Sequence, residues 1–152
     1  MYRSLIEIII IIAIIFIILA AIAIPSHRGK KAFDSDAENT LERLTSLCDT
    51  YCWSQDYPTC SAIIKNIILT DVKCRGKNNN PETSYQERWS LPQELSIEMD
   101  NLPINLEDDT SSVDLTKESK ISVYLNNGSR TYCKQEKNRM ESFDGLDHAL
   151  CQ

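Results

Sequence analysis

The chain is poor in the residues that usually carry chemistry. Its 152 residues hold two isolated histidines, His27 and His148, and no Gly-x-Ser-x-Gly, phosphate loop or haem-attachment Cys-x-x-Cys-His stretch. An envelope enzyme or redox carrier therefore has no catalytic constellation behind it, and no cofactor is expected. No Cys-x2-Cys pair occurs, which leaves out the usual zinc arrangements. There is no long basic run and the net charge is −6, so no nucleic-acid footprint is expected. Internal repeats and low-complexity tracts are missing, apart from one isoleucine-rich run. Within that run, from Ile8 to Ile24, there is no polar residue at all.

This last absence organises the rest. The stretch SLIEIIIIIAIIFIILAAIAIP, Ser4 to Pro25, has one carboxylate, Glu7, at its leading edge and one proline at its trailing edge. As a helix rising about 1.5 Å per residue, Leu5 to Ile24 covers roughly 30 Å, the thickness of a bilayer's hydrocarbon. Apolar on every side, it needs burial all round, in lipid or among copies of itself. It is too long for the core of a cleaved secretory signal, and SHRGKK after Pro25 is no cleavage site for one. The charges flanking it pose a puzzle. Only Arg3 precedes the run, whereas His27, Arg28, Lys30 and Lys31 follow it, an order that would place the remainder in the cytoplasm. The six cysteines, all beyond the run, point instead to an oxidising compartment and three disulfides. One resolution, expected here, is a basic leader once ahead of residue 1 that set the topology and was then removed.

Three regions follow: 1–25, the hydrophobic helix; 26–53, an amphipathic continuation; and 54–152, a disulfide-bonded α+β head. Proline inside a helix removes a backbone bond, so a kink is expected at Pro25. Beyond it Phe33, Ala37, Leu41, Leu44, Cys48 and Tyr51 recur at spacings of three and four, one stripe of a helix ending near Trp53. Asp34, Asp36, Glu38, Glu42 and Arg43 fall mostly off that stripe, on faces for solvent or neighbouring copies. The picture is one helix of about 50 residues, its front half buried all round and its back half one-sided. Ser61–Leu69 reads as either a helical turn or a strand, Leu95–Met99 as a half-buried strand and Val113–Thr116 as another. Lys77–Pro81 is a loop by composition. Ile121–Cys133 reads as a hairpin in which Asn127-Gly128 supplies the positive φ angles of a type I′ turn. That turn also explains the glycosylation-like Asn127-Gly128-Ser129. Tyr51, Trp53, Tyr57, Trp89 and Tyr124 read as packing residues. Six cysteines allow fifteen connectivities. Bridging Cys48 to Cys52, one helical turn apart, is awkward, so Cys48 is assigned to Cys74 and Cys52 to Cys60.

The N-terminal run resembles that of the type IV pilins and type II secretion pseudopilins. The shared features are a glutamate just inside an apolar helix, the Ala-Ala-Ile-Ala-Ile-Pro close, and one helix continuing into a small α+β head. Two departures stand out: Glu7 lies six residues after Met1, further than is usual in the family, and Phe16 stands near where many relatives have glycine. The resemblance implies a pilin-like fold, a long helix packed on a small antiparallel sheet, and favours a Cys133–Cys151 bridge around the C-terminal loop. It implies a class III signal peptide removed by a prepilin peptidase, a methylated N-terminus, storage in the inner membrane, and delivery by an assembly machinery into a helical homopolymer at the cell surface. There Glu7 would meet the Met1 amine of a neighbouring subunit, fixing the register, while Pro25 would bend the helix or set the angle of the head. The expected function is that of a major pilin, a structural subunit serving adhesion, motility or surface interaction. The alternatives are a pseudopilin or minor pilin, and a single-pass anchor displaying a binding domain without any polymer. Asp144 and Asp147, near Glu141, also resemble the calcium-binding C-terminal loops of some pseudopilins, without matching an EF-hand.

Overall fold

A computed structural model describes residues 2–76, 82–100, 102–135, 139–146 and 151, without the side chains of 2–6 and 20–28. The Lys77–Pro81 loop lies outside the described residues. A single helix, α1, runs from Tyr2 to Tyr51. Its backbone stays helical through Pro25, whose side chain lies outside those described. A short 3-10 turn, Trp53–Gln55, follows, and Asp56 closes it in the left-handed region at φ 64°, its N–H donating to the Trp53 carbonyl. Aspartate tolerates that conformation better than most residues, so the helix stops without a glycine.

Among the described residues nine strands form two antiparallel sheets, where one small sheet was expected. The strands are β1 (Thr59–Lys65), β2 (Ile68–Arg75), β3 (Thr83–Ser90), β4 (Leu95–Met99), β5 (Leu102–Ile104), β6 (Ser111–Leu115), β7 (Ile121–Leu125), β8 (Arg130–Lys134) and β9 (Met140–Asp144). The first sheet has the order β3-β2-β1-β6 and the second β5-β4-β7-β8-β9. The molecule is thus α+β, a helix packed on antiparallel sheets and stapled by disulfides. The ambiguous Ser61–Leu69 segment resolves as the β1–β2 hairpin. Its turn is Asn66-Ile67, both at positive φ (48° and 63°). A β-branched residue there is costly, which is why composition gives no turn signal at this point.

The second half of α1 lies against β7 and β8 and also meets β1 and β2. Ala37, Leu41, Leu44 and Cys48 of the expected stripe are buried with Ile121, Val123 and Leu125, while Phe33 is left exposed. Thr40 and Thr45 share the buried face because each hydroxyl donates to a helix carbonyl one turn back, Asp36 and Leu41.

Asp34 is buried as well, contrary to its expected place on an outward face. Its Oδ1 accepts the N–H groups of Ser129 (2.7 Å) and Arg130 (3.0 Å), and its Oδ2 accepts the Ser129 hydroxyl (2.6 Å). This corrects the turn assignment too. Neither Asn127 nor Gly128 has positive φ; the turn runs from Leu125 to Gly128, whose N–H donates to the Leu125 carbonyl at 2.8 Å. The loop between β7 and β8 is therefore longer than a two-residue turn. Gly128 is needed for close approach, since a Cβ there would stand 2.7 Å from Asp34 Oδ1.

The three disulfides are Cys48–Cys60, Cys52–Cys74 and Cys133–Cys151, with Cα separations of 5.5, 5.2 and 5.6 Å. The first two exchange the partners assigned from sequence. Cys60 and Cys74 sit opposite each other on β1 and β2, and Cys48 and Cys52 sit one turn apart on the helix. Which strand lies beneath which turn is a tertiary fact that no spacing encodes. The third bridge ties Cys151, itself buried, back to β8.

Two measurements test this arrangement. Asp34→Ala leaves two part-buried N–H groups and a hydroxyl without their acceptor, and is expected to cost about 1–3 kcal/mol in urea unfolding of the intact protein. Non-reducing digestion that cuts between Cys48 and Cys52 should yield peptides joined 48–60 and 52–74; peptides joined 48–74 and 52–60 would refute the pairing.

Candidate assembly surface

Among the described side chains of the first half of α1, 7–19, none is buried. From Ile8 to Leu19 every large apolar side chain is between 49% and 68% exposed, on all azimuths of the helix. Burying a side chain of this size is worth about 1.5–3 kcal/mol. Together they make a surface that water strongly disfavours, far beyond the isolated apolar residues common on proteins. Glu7 stands exposed at its leading end.

The expected span from Leu5 to Ile24 includes 5–6 and 20–24, whose side chains lie outside those described. What remains, 7–19, is shorter than the roughly 20 residues a bilayer needs. Among the described residues no helix is long and apolar enough to cross a membrane. Met1, Asp147 and His148 also lie outside the described residues, as does the His27 side chain. Asp144 is on β9, exposed, 3.5 Å from Arg130, and Glu141 pairs with Arg139 at 2.7 Å. No group of three or more metal-ligating side chains occurs among the described residues. Glu7, Pro25 and the cysteines are thus not gathered into one site: the first two lie along α1, and the bridges hold the head.

The aromatic residues pack as the helix passes β3. Tyr51 stacks on Tyr85, with ring centroids 4.6 Å apart, and its hydroxyl donates to Glu87 at 2.7 Å. That hydrogen bond to a carboxylate raises the Tyr51 pKa above its ordinary value. The Arg43 guanidinium lies 4.5 Å from the centre of the Trp89 ring.

One feature of the head had no sequence signal. Lys134 is fully buried, its ammonium donating to the carbonyls of Thr116 (3.1 Å), Lys117 (3.2 Å) and Ser119 (2.7 Å). It also lies 5.7 Å from the centre of the Trp53 ring. Burial lowers its pKa, and the carboxylates of Glu118 and Asp100 work against that shift. All three donors are used, so the group closes the β6–β7 connection and has no proton to spare for chemistry. Only a strand position facing inward distinguishes it in the sequence.

On the first sheet Asp114 forms a second polar cluster, at the surface. Partial burial pushes its pKa up, but hydrogen bonds involving Ser61 and Ser112, together with Arg75, outweigh this and hold it below the usual carboxylate value.

Comparison with protein-family models, with curated proteins and with solved structures finds no match. Function therefore has to be argued from the geometry, and its most unusual part is the bare apolar half of α1.

Because residues 7–19 are all exposed, Ile12→Asp should leave the head's stability within about 0.5 kcal/mol of wild type, as for surface changes in general. The same substitution should sharply reduce self-association measured by sedimentation in mild detergent. A large loss of head stability would show that the two halves are coupled.

Proposed function

We propose that this chain is the structural subunit of a type IV pilus-like helical filament, polymerising through the first half of α1. The observation that carries the reading is the all-round exposure of Ile8–Leu19 on a helix whose second half is embedded in a folded head. A rod of this kind finds a complete apolar environment in two places, lipid and a bundle of its own copies. The head, with its three disulfides, is left outside both. Membrane storage before assembly and a fibre core afterwards use the same surface, so exchanging one for the other loses little hydrophobic free energy.

Glu7 favours a polymer over a simple anchor. A carboxylate at the edge of an apolar helix costs a few kcal/mol when ionised and unpaired in lipid. Opposite the N-terminal amine of a neighbouring subunit it is compensated, and the low dielectric strengthens that pair. Only one axial stagger brings the two charges together, so the pair also sets the register. An anchor gains nothing from such a residue. Assignment to a surface pilus used in adhesion or motility, with a peptidase and assembly machinery as its processing partners, completes the proposal.

The test is electron microscopy of material sheared from cells, with mass analysis of the subunit's N-terminus. Wild type should give fibres made of this chain. Glu7→Ala should keep a folded head and membrane association but lose fibres or misregister them; normal fibres from Glu7→Ala would remove the register role.

A further inference from the structure

Beyond the apolar rod, the outward face of α1 carries charges in a fixed order. Lys30 and Lys31 come first and are exposed; Glu38 and Glu42, also exposed, follow one turn apart. At 100° per residue Lys31, Glu38 and Glu42 lie within about 40° of one another, a single stripe. Two carboxylates at i and i+4 repel, destabilising a helix by about 0.2–0.5 kcal/mol. Among the described residues no ion pair relieves them, and none engages Lys30 or Lys31. Within the helix, Lys31 and Glu42 are about 16 Å apart along the axis, too far for their side chains to meet.

The ground beside the two glutamates is shaped for a long cation. A cavity of about 100 Å³ opens between α1 and strands β8 and β9, lined by Glu38, Leu41, Glu42, Tyr132 and Met140, with Glu141 and Ser142 at its edge. Leu41, Met140 and the Tyr132 ring offer an apolar wall and the carboxylates a negative end, the two halves of what a lysine side chain presents. Glu141 is already held by Arg139. The Tyr132 pKa is raised, first by burial and then by Glu38 and Asp34, as expected where negative potential gathers.

We propose that this face is the docking surface for a second copy of the chain, parallel and axially displaced, whose Lys31 enters the notch between Glu38 and Glu42. The occupant follows from charge order and continuity. Exposed Lys31 and the unrelieved acidic pair are on one stripe, and the apolar rod preceding them already requires neighbours running alongside. The contact sets a stagger of about 10–17 Å, the distance from Lys31 to Glu38 and to Glu42 along the helix. At that stagger the apolar runs of the two copies still overlap over a large part of their length. The inference rests on the filament reading and adds to it a second, polar register outside the apolar core.

The experiment uses sheared filaments of the full chain treated with a carbodiimide, which joins only a carboxylate and an amine already in contact. The expected product is a Lys31–Glu42 cross-link, which one helix cannot form within itself. Lys31→Glu should reduce filament yield by about tenfold or more, since like charges facing each other at an interface cost several kcal/mol. Lys31→Glu combined with Glu38→Lys and Glu42→Lys should restore most of the yield, which general loss of folding would not allow. Wild-type filaments lacking the cross-link, together with normal assembly of Lys31→Glu, overturn the docking proposal and leave the filament reading standing. Absence of filaments from wild type itself overturns both.

Discussion

A helix that is apolar on every side for one half and on one side only for the other needs two different surroundings. The second half of α1 finds its own, because β7, β8, β1 and β2 cover Ala37, Leu41, Leu44 and Cys48. Residues 7–19 of the first half find none among the described residues. Everything else in the molecule can be read as a consequence. The head must be stable enough to stand alone, it must hold the helix firmly at one end, and it must leave the other end free. A protein of this size cannot bury a free rod by wrapping around it, since its remaining residues are already committed to two sheets.

Where the two halves meet, the hold on the helix is polar. Among the described residues Ala37 is the first apolar one of the helix to be buried, and Asp34, one turn before it, is already clamped by Ser129 and Arg130. A carboxylate accepting two backbone N–H groups and a hydroxyl is directional in a way that apolar packing is not. It fixes both the rotation of the helix about its axis and its height over the β7–β8 loop. Packing alone, from alanine and leucine, would tolerate a slip of one turn with similar burial. The clamp removes that alternative, and Gly128 is the residue that makes room for it.

Much of this was legible in the sequence, for identifiable reasons. Period and composition give the helix and its boundary near Trp53, because seventeen consecutive apolar positions followed by a stripe at spacings of three and four admit few other readings. Leu95–Met99 and the β7–β8 hairpin follow from alternation. What failed was long-range. Asp34 looks like any outward acid until its partner, 95 residues away, is known. Asn127-Gly128 is the strongest local hairpin signal, yet the glycine is there for space and not for φ. Ile67 sits in a turn that isoleucine disfavours, so the β1–β2 hairpin had no marker. The cysteine partners were exchanged because both pairings join the same helix face to the same two strands. The candidate surface, by contrast, was visible at once, since no folding partner can be assigned to a stretch lacking polarity on every side.

The placement of the covalent bonds relative to the clamp carries the argument one step further. In the proposed fibre, tension would reach each head through α1, passing first to Asp34 and the apolar stripe and only then to the two bridges at the helix's far end, Cys48–Cys60 and Cys52–Cys74. Hydrogen bonds and packing along residues 34–48 would then carry load before any disulfide did. Were the clamp to give way, the helix would still be fastened to β1 and β2, and the head could repack without losing its subunit. The third bridge, Cys133–Cys151, lies off this path and secures the C-terminal end to β8. The two bridges thus stand at the far end of the packed helix, a placement that would suit the loaded helix of the proposed filament.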